Sequence, residues 1–145
     1  MKIVTDCAAD LPAQERDVLG IIEAPLYIQF PEGEVNSADL TPDEFYDRLA
    51  AMYPAIPSTA QPSSGIFADL YHKLAEAGQI LSIHVSSGLS GTINSARVGA
   101  EQIKDKVVSV VDSMPLSGGQ RVQVLAAALA SRAGWTKDAI LAPLD

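Results

Sequence analysis

The sequence is poor in cysteine, histidine, basic residues and long apolar runs, and each scarcity removes a class of function. One cysteine, Cys7, in 145 residues cannot form an internal disulfide, so this is no disulfide scaffold. A chain of this size needs no such staple, because folding buries roughly 70% of the surface the unfolded chain exposes. Two histidines, His72 and His84, give little material for a multi-His metal site or a Ser-His-Asp triad. Ten Lys and Arg stand against 18 Asp and Glu, a net charge of -8, and the basic residues are scattered rather than striped. Such a surface repels a phosphate backbone, so nucleic acid is not an expected partner. No run approaches the roughly 18 apolar residues of a membrane span, and no signal-peptide core follows Met1-Lys2. The expectation is a cytoplasmic protein that is neither inserted nor exported. No G-x-x-x-x-G-K-[ST] phosphate loop and no G-x-S-x-G elbow occurs.

What is present is a strand-helix alternation. Lys2–Thr5, Ile80–Val85 and Val107–Val111 are β-branched or apolar runs that read as strands, with Ile21–Ala24 and Leu26–Phe30 as extended segments split by Pro25. Pro31-Glu32-Gly33-Glu34 reads as a turn. Helices are expected from Pro12 to Gly20, from Thr41 to Met52, from Ser63 to Gly78, from Ile93 to Ile103, from Leu116 to Ala133 and from Thr136 to Asp145. Thr41-Pro42-Asp43-Glu44 combines a Thr cap, Pro at the first helical position and Glu three residues after the cap. Phe45, Tyr46, Phe67 and Tyr71, at helical spacing, are core by default, and Trp135 is expected as a helix-end contact, an exposed position pointing to an interface instead. The alternation implies one domain over residues 1–145, α/β in class: a three-layer fold with a mostly parallel sheet and helices on both faces. A mean hydropathy of +0.15 leaves some apolar surface for a ligand or partner.

In an open parallel sheet, ligands bind beyond the carboxyl ends of the strands. The unusual polar residues fall there: Asp6, Cys7 and Asp10, then Ser86, Ser87, Ser90 and Thr92, then Asp112 and Ser113, with Ser58–Ser63 placed to lie beside them. The loop Ser86-Ser87-Gly88-Leu89-Ser90-Gly91-Thr92 offers close backbone approach, hydroxyl donors and a helix N-terminus, a set suited to a small anion such as a carboxylate or phosphate. The plainer reading is that Ser90 or Thr92 caps the helix. Asp6 and Asp112 are candidates for a carboxylate pair across strand ends, though capping of loop amides is the commoner use. Cys7 reads as a small buried or half-buried thiol, His84 as a core or near-core residue rather than a base, and Asp10 as the cap of the first helix.

Lys2–Asp6 with Ala9-Asp10-Leu11-Pro12, Pro25-Leu26, Leu40-Thr41 with Glu44-Phe45-Tyr46, Thr59 with Gln61-Pro62-Ser63, the whole Ser86–Thr92 loop and Val110–Ser113 together resemble the DegV family of bacterial lipid-binding proteins. The resemblance runs through nearly the whole chain. It implies binding without catalysis, with no metal and no cofactor: a long-chain fatty acid held by its carboxylate, its acyl chain in an apolar tunnel, presented to a separate fatty-acid kinase subunit for phospholipid synthesis. The family's carboxylate-binding Thr and Ser fall on Thr59 and Ser90. Ser86, Ser87, Gly91, Thr92, Gln61, Asp6, Asp112 and Ser113 would then support the rim. Cys7 and Ala8 stand where the family has a hydroxyl pair, Ala60 where Ser is usual, Asn36 where Asp is usual, and Arg121 where Gly is common. Members are about twice as long, so the chain is expected to be the N-terminal domain, with the C-terminal domain absent and an open junction suited to a homodimer. Two other readings remain at this point. One is a small ester hydrolase using Ser90 or Cys7 with Asp6 and Asp112; the other is a regulatory domain whose lipid site is vestigial.

Overall fold

The computed structural model describes residues 1–143. Four parallel strands form the main sheet: β1 (Lys2–Asp6), β2 (Ile22–Ala24), β6 (Ile80–His84) and β7 (Val108–Asp112), in the order β2-β1-β6-β7. Six helices surround it: α1 (Ala13–Leu19), α2 (Pro42–Met52), α3 (Ser64–Ala75), α4 (Thr92–Glu101), α5 (Gly118–Arg132) and α6 (Lys137–Leu141). Alternation along the strands decides the layers. Ile3, Leu81 and Ile83 point to one face, where they pack on Leu11, Val124, Ala127, Ala128 and Ile140. Val4 and Ile80 point to the other, against Phe67, Tyr71, Ala96 and Ile103. The three-layer α/β architecture read from the sequence is therefore the observed one.

A second, antiparallel sheet was not legible. Its strands are β3 (Tyr27–Phe30), β4 (Gly33–Asn36) and β5 (Ser58–Ala60), in the order β4-β3-β5. Leu26–Phe30 thus leaves the main sheet at Pro25, and the segment read as a turn is shorter: Phe30 already pairs with Gly33 across Pro31-Glu32. Thr59 pairs with Ile28 and Ala60 with Tyr27. This small sheet with α2 forms an outlying layer. Helix α2 has no buried residue, and Tyr46, expected in the core, is 65% exposed, because the helix has little beyond the small sheet to cover it. Phe45 packs on Phe30, ring centroids 6.5 Å apart.

The expected helix signals act as read at most ends. Thr41 and Glu44 form the reciprocal capping box, and Ser63 Oγ accepts from Ile66 N at 3.3 Å. Asp10 is a correction. It sits at φ 50°, closing the short 3-10 turn Cys7–Ala9, and α1 begins two residues beyond Leu11 with Pro12 as its uncapped flank. The last helix ends at Leu141, and the part of its expected span at Leu144 and Asp145 lies outside the described residues.

Helices α3 and α4 cross closely because α4 carries Gly99 at the contact. A Cβ there would stand 2.7 Å from Phe67 Cβ and 3.0 Å from both Ala68 N and Ser64 O. In an open helix interior Gly→Ala gains about 1 kcal/mol. Here the neighbours are backbone and a core Cβ, so overpacking dominates, and Gly99→Ala is expected to cost about 1–3 kcal/mol. Urea denaturation measures it, and a stabilised Gly99→Ala protein would contradict this packing.

Candidate functional site

The chain steps from β1 out to β2 and later returns to the other side of β1 as β6, so the strand order reverses between β1 and β6. An open parallel sheet has its crevice at such a switch point, beyond the carboxyl ends. Ala8, just after β1, and Val85, just after β6, floor a cleft of about 410 Å³ at this position. The small sheet supplies one wall through Leu26, Thr59, Ala60 and Gln61. Leu89, Ser90, Gly91 and Leu116 supply the opposite side. Two hydroxyl-bearing residues far apart in sequence, Thr59 and Ser90, therefore line one hollow whose remaining surface is mostly apolar.

The seven-residue loop is held largely by its own groups. Ser86 is nearly buried; its carbonyl accepts Leu89 N and Ser90 N, and its Oγ accepts Gly88 N at 3.2 Å. Ser90 Oγ accepts Thr92 N at 3.2 Å and lies 2.9 Å from Thr92 Oγ1, with Thr92 fully buried. Ser90 thus bonds the first amide of α4, as a local capping role would have it, but the residue flanking the helix is Gly91, which has no side-chain cap. Gly91 leaves room for the end of the Gln61 side chain, since a Cβ there would stand 2.5 Å from Gln61 Oε1 and turn that amide aside. Gln61 in turn donates to Ser95 Oγ at 3.2 Å, tying the small sheet's exit to α4. Asp112 accepts Ser87 N and Met114 N, and these bonds outweigh its partial burial and hold its carboxyl below the usual value. Ser113 is buried and donates to Pro115 O at 2.9 Å. Of the residues singled out from sequence, Thr59, Gln61, Ser90 and Gly91 face the cleft. Ser86, Ser87, Thr92, Asp112 and Ser113 shape the loops around it.

Asp6 is not on the rim. It is fully buried, and strand β6 separates it from Asp112, so the two carboxylates do not pair. Its Oδ1 accepts Ala8 N at 3.1 Å and Gln120 Nε2 at 3.2 Å. Its Oδ2 accepts His84 Nδ1 at 2.9 Å and Val85 N at 3.1 Å. Burial pushes this carboxyl up, but the His84 hydrogen bond and attraction, Val85 N and Gln120 hold it below its ordinary 3.8. The network continues inward: His84 Nε2 lies 2.7 Å from Ser82 Oγ, which accepts from Tyr71 O–H at 2.8 Å. The connectivity Ser82-His84-Asp6 is that of a catalytic triad. All three side chains are sealed at 0% exposure, with Tyr71 over the serine, so the arrangement binds no substrate and serves the core. Sequence reading placed His84 in the core but missed its partners. The available signal was Ser82 and His84 at alternate positions of an apolar strand, hence on one face.

At the cleft itself, Ser90 Oγ has Thr92 as partner rather than an imidazole. Cys7 is half-buried, and burial pushes its thiol up to about 11, away from the reactive thiolate. Among the described residues, no group of three or more His, Cys, Asp or Glu is arranged to hold a metal ion, and no helix is long and apolar enough to cross a membrane. A larger hollow, about 670 Å³, lies along edge strand β7 between Arg97, Glu101, Ile103 and Val110, and none of the sequence-predicted residues lines it.

The family model described as "Uncharacterised protein, DegV family" matches residues 1–145. The chain belongs to the DegV family. A DegV domain-containing protein of Deinococcus radiodurans is 38% identical over 99% of this chain and 51% of its own length. A second, from Lactococcus lactis, is 35% identical over 97% of this chain and 50% of its own. Among solved structures, a fatty-acid-binding DegV family protein from Thermus thermophilus superposes with a TM-score of 0.90 at 34% identity, over 99% of this chain and 51% of that one. DegV of Bacillus subtilis, described as a fatty acid binding protein, gives 0.90 at 29% identity, with the same coverage. The chain thus spans about half the length of the DegV proteins it matches.

The Asp6 network fixes a pH response. A carboxyl whose folded pKa lies below its unfolded value stabilises the protein above the unfolded value, and that stability is lost as pH falls through the folded one. The denaturation midpoint should hold from neutral pH down to about 4 and decline below it. Asp6→Asn should begin less stable and show a shallower acid decline. An acid decline as steep as the wild type's would show that Asp6 does not carry this response.

Proposed function

We propose that this chain binds a long-chain fatty acid, with the carboxylate on Thr59 and Ser90 and the acyl chain against Leu26, Ala60, Val85, Leu89 and Leu116. The observation that carries the reading is that Thr59 and Ser90, with Gln61 beside them, line one largely apolar cleft at the sheet's switch point. Relatives described as fatty-acid-binding share its fold. A carboxylate leaving water needs several donors, and the start of α4 adds the partial positive charge of a helix N-terminus. Affinity comes chiefly from the tail: at about 0.8 kcal/mol per buried CH₂, a long chain offers on the order of 10 kcal/mol before ordering costs.

The role is binding rather than catalysis, without metal or cofactor. Ligand presentation to a fatty-acid kinase subunit follows from this reading. The cleft suits such a contact, since its lining residues Leu89 and Leu116 are 62% and 49% exposed. A second copy of the chain is the other partner this apolar surface would take. The setting is cytoplasmic, and residues 1–145 act as one α/β unit equivalent to the N-terminal half of a longer family member.

The test is titration of palmitate into Ser90→Ala and Thr59→Val proteins of confirmed fold. Each is expected to bind about tenfold more weakly, the loss of roughly one charge-assisted hydrogen bond. Wild-type affinity in both variants would remove the carboxylate from this position.

A further inference from the structure

We infer that Asp6 is a positioning residue for the ligand cleft: one buried carboxylate holds both backbone segments of its floor and the start of α5 beside it. The two floor residues are Ala8 and Val85, and the amide N–H of each donates to Asp6, one to each carboxylate oxygen. A third tie runs through Gln120, fully buried, whose Nε2 donates to Asp6 Oδ1 and to Thr5 Oγ1 at 3.1 Å. Gln120 lies in the first turn of α5, and Ser117 N, flanking that helix, donates to Ala8 O at 2.7 Å, beside the cleft residue Leu116. The loops after β1 and β6 and the entry to α5 are thereby referred to a single group that touches no ligand.

The chemistry of the four contacts makes the carboxylate specific. His84 Nδ1, Val85 N, Ala8 N and Gln120 Nε2 are all donors in this arrangement. An amide in place of the carboxylate presents its own N–H to at least one backbone donor whichever way it turns. Ala8 or Val85 must then move, taking the cleft floor with it. Asp6→Asn is nearly isosteric, so the effect is electrostatic rather than one of lost volume.

This inference rests on the fatty-acid reading for its ligand, and the experiment separates the two. Palmitate affinity and amide hydrogen exchange are measured on the wild type, Asp6→Asn, Gln120→Met and Ile140→Ala. Ile140 is buried in α6, a helix whose Lys137 and Asp138 lie beside Met1 and Gln79 ahead of β1 and β6, and it lines no part of the cleft. Its variant reports the effect of lost stability alone. Asp6→Asn is expected to lose exchange protection at Ala8 and Val85 and to bind palmitate at least about tenfold more weakly. Gln120→Met shifts both in the same direction by less, and serves where Asp6→Asn does not fold. Ile140→Ala should unfold more readily yet keep wild-type affinity. Unchanged exchange at Ala8 and Val85, or wild-type affinity in a folded Asp6→Asn protein, overturns the inference. A wild type that does not bind palmitate overturns the fatty-acid reading instead, while the exchange data still decide whether Asp6 holds the floor.

Discussion

A carboxylate has been taken out of water at the carboxyl end of the first strand, and much of the molecule is arranged around that fact. An ionised group in a low-dielectric interior is tolerated only when its lone pairs are met by donors. Asp6 meets four, from β6, from the loop after its own strand and from α5. Those donors can converge only if β1 and β6 are neighbours in the register Ile3 opposite Leu81 and Val4 opposite Ser82, and if α5 starts over β1. The crossover that creates the switch point is therefore also the one that brings the ion's donors together. The crevice and the buried charge beneath it are two consequences of one topology.

Above that floor the work is divided by chemistry. Hydroxyls and the positive end of α4 suit a head group that carries charge, and Leu26, Ala60, Leu89 and Leu116 suit a tail that does not. The two kinds of contact arrive on different elements, the hydroxyl of Thr59 on a three-residue strand of the small sheet and that of Ser90 on a loop packed against α4. Gln61, beside Gly91 and bonded to Ser95, links the two elements. The buried Ser82-His84-Asp6 chain shows how far connectivity alone can mislead, since the same bonds that would make a nucleophile elsewhere here lie under Tyr71 with no access.

Most of the main sheet was legible because its signals are local. Ile80–Val85 and Val107–Val111 are dense apolar runs, and Thr41-Pro42-Glu44 and Ser63 cap helices by contacts within three residues. The small sheet was not, because Gly33–Asn36 and Ser58–Ala60 are short, lack apolar alternation and are defined only by pairing with β3. Tyr46 misled for the same reason: a helical apolar stripe predicts a partner, and for α2 that partner is only the thin outlying sheet. Thr59 and Ser90 could be named from motif resemblance, but their sharing of one cleft depends on that invisible sheet. Asp6 was found and misplaced. An aspartate at a strand end reads alike whether it caps a surface loop or lies beneath it, and only donors distant in the chain, His84, Val85 and Gln120, distinguish the two.

The central claim is that this cleft encloses enough of a fatty acid to hold it. Native mass spectrometry of the purified chain, followed by organic extraction of whatever is released, tests it most directly. The account predicts a stoichiometric adduct that yields a long-chain fatty acid and is diminished in Ser90→Ala. A folded chain that carries no adduct, and acquires none when palmitate is supplied, would contradict it.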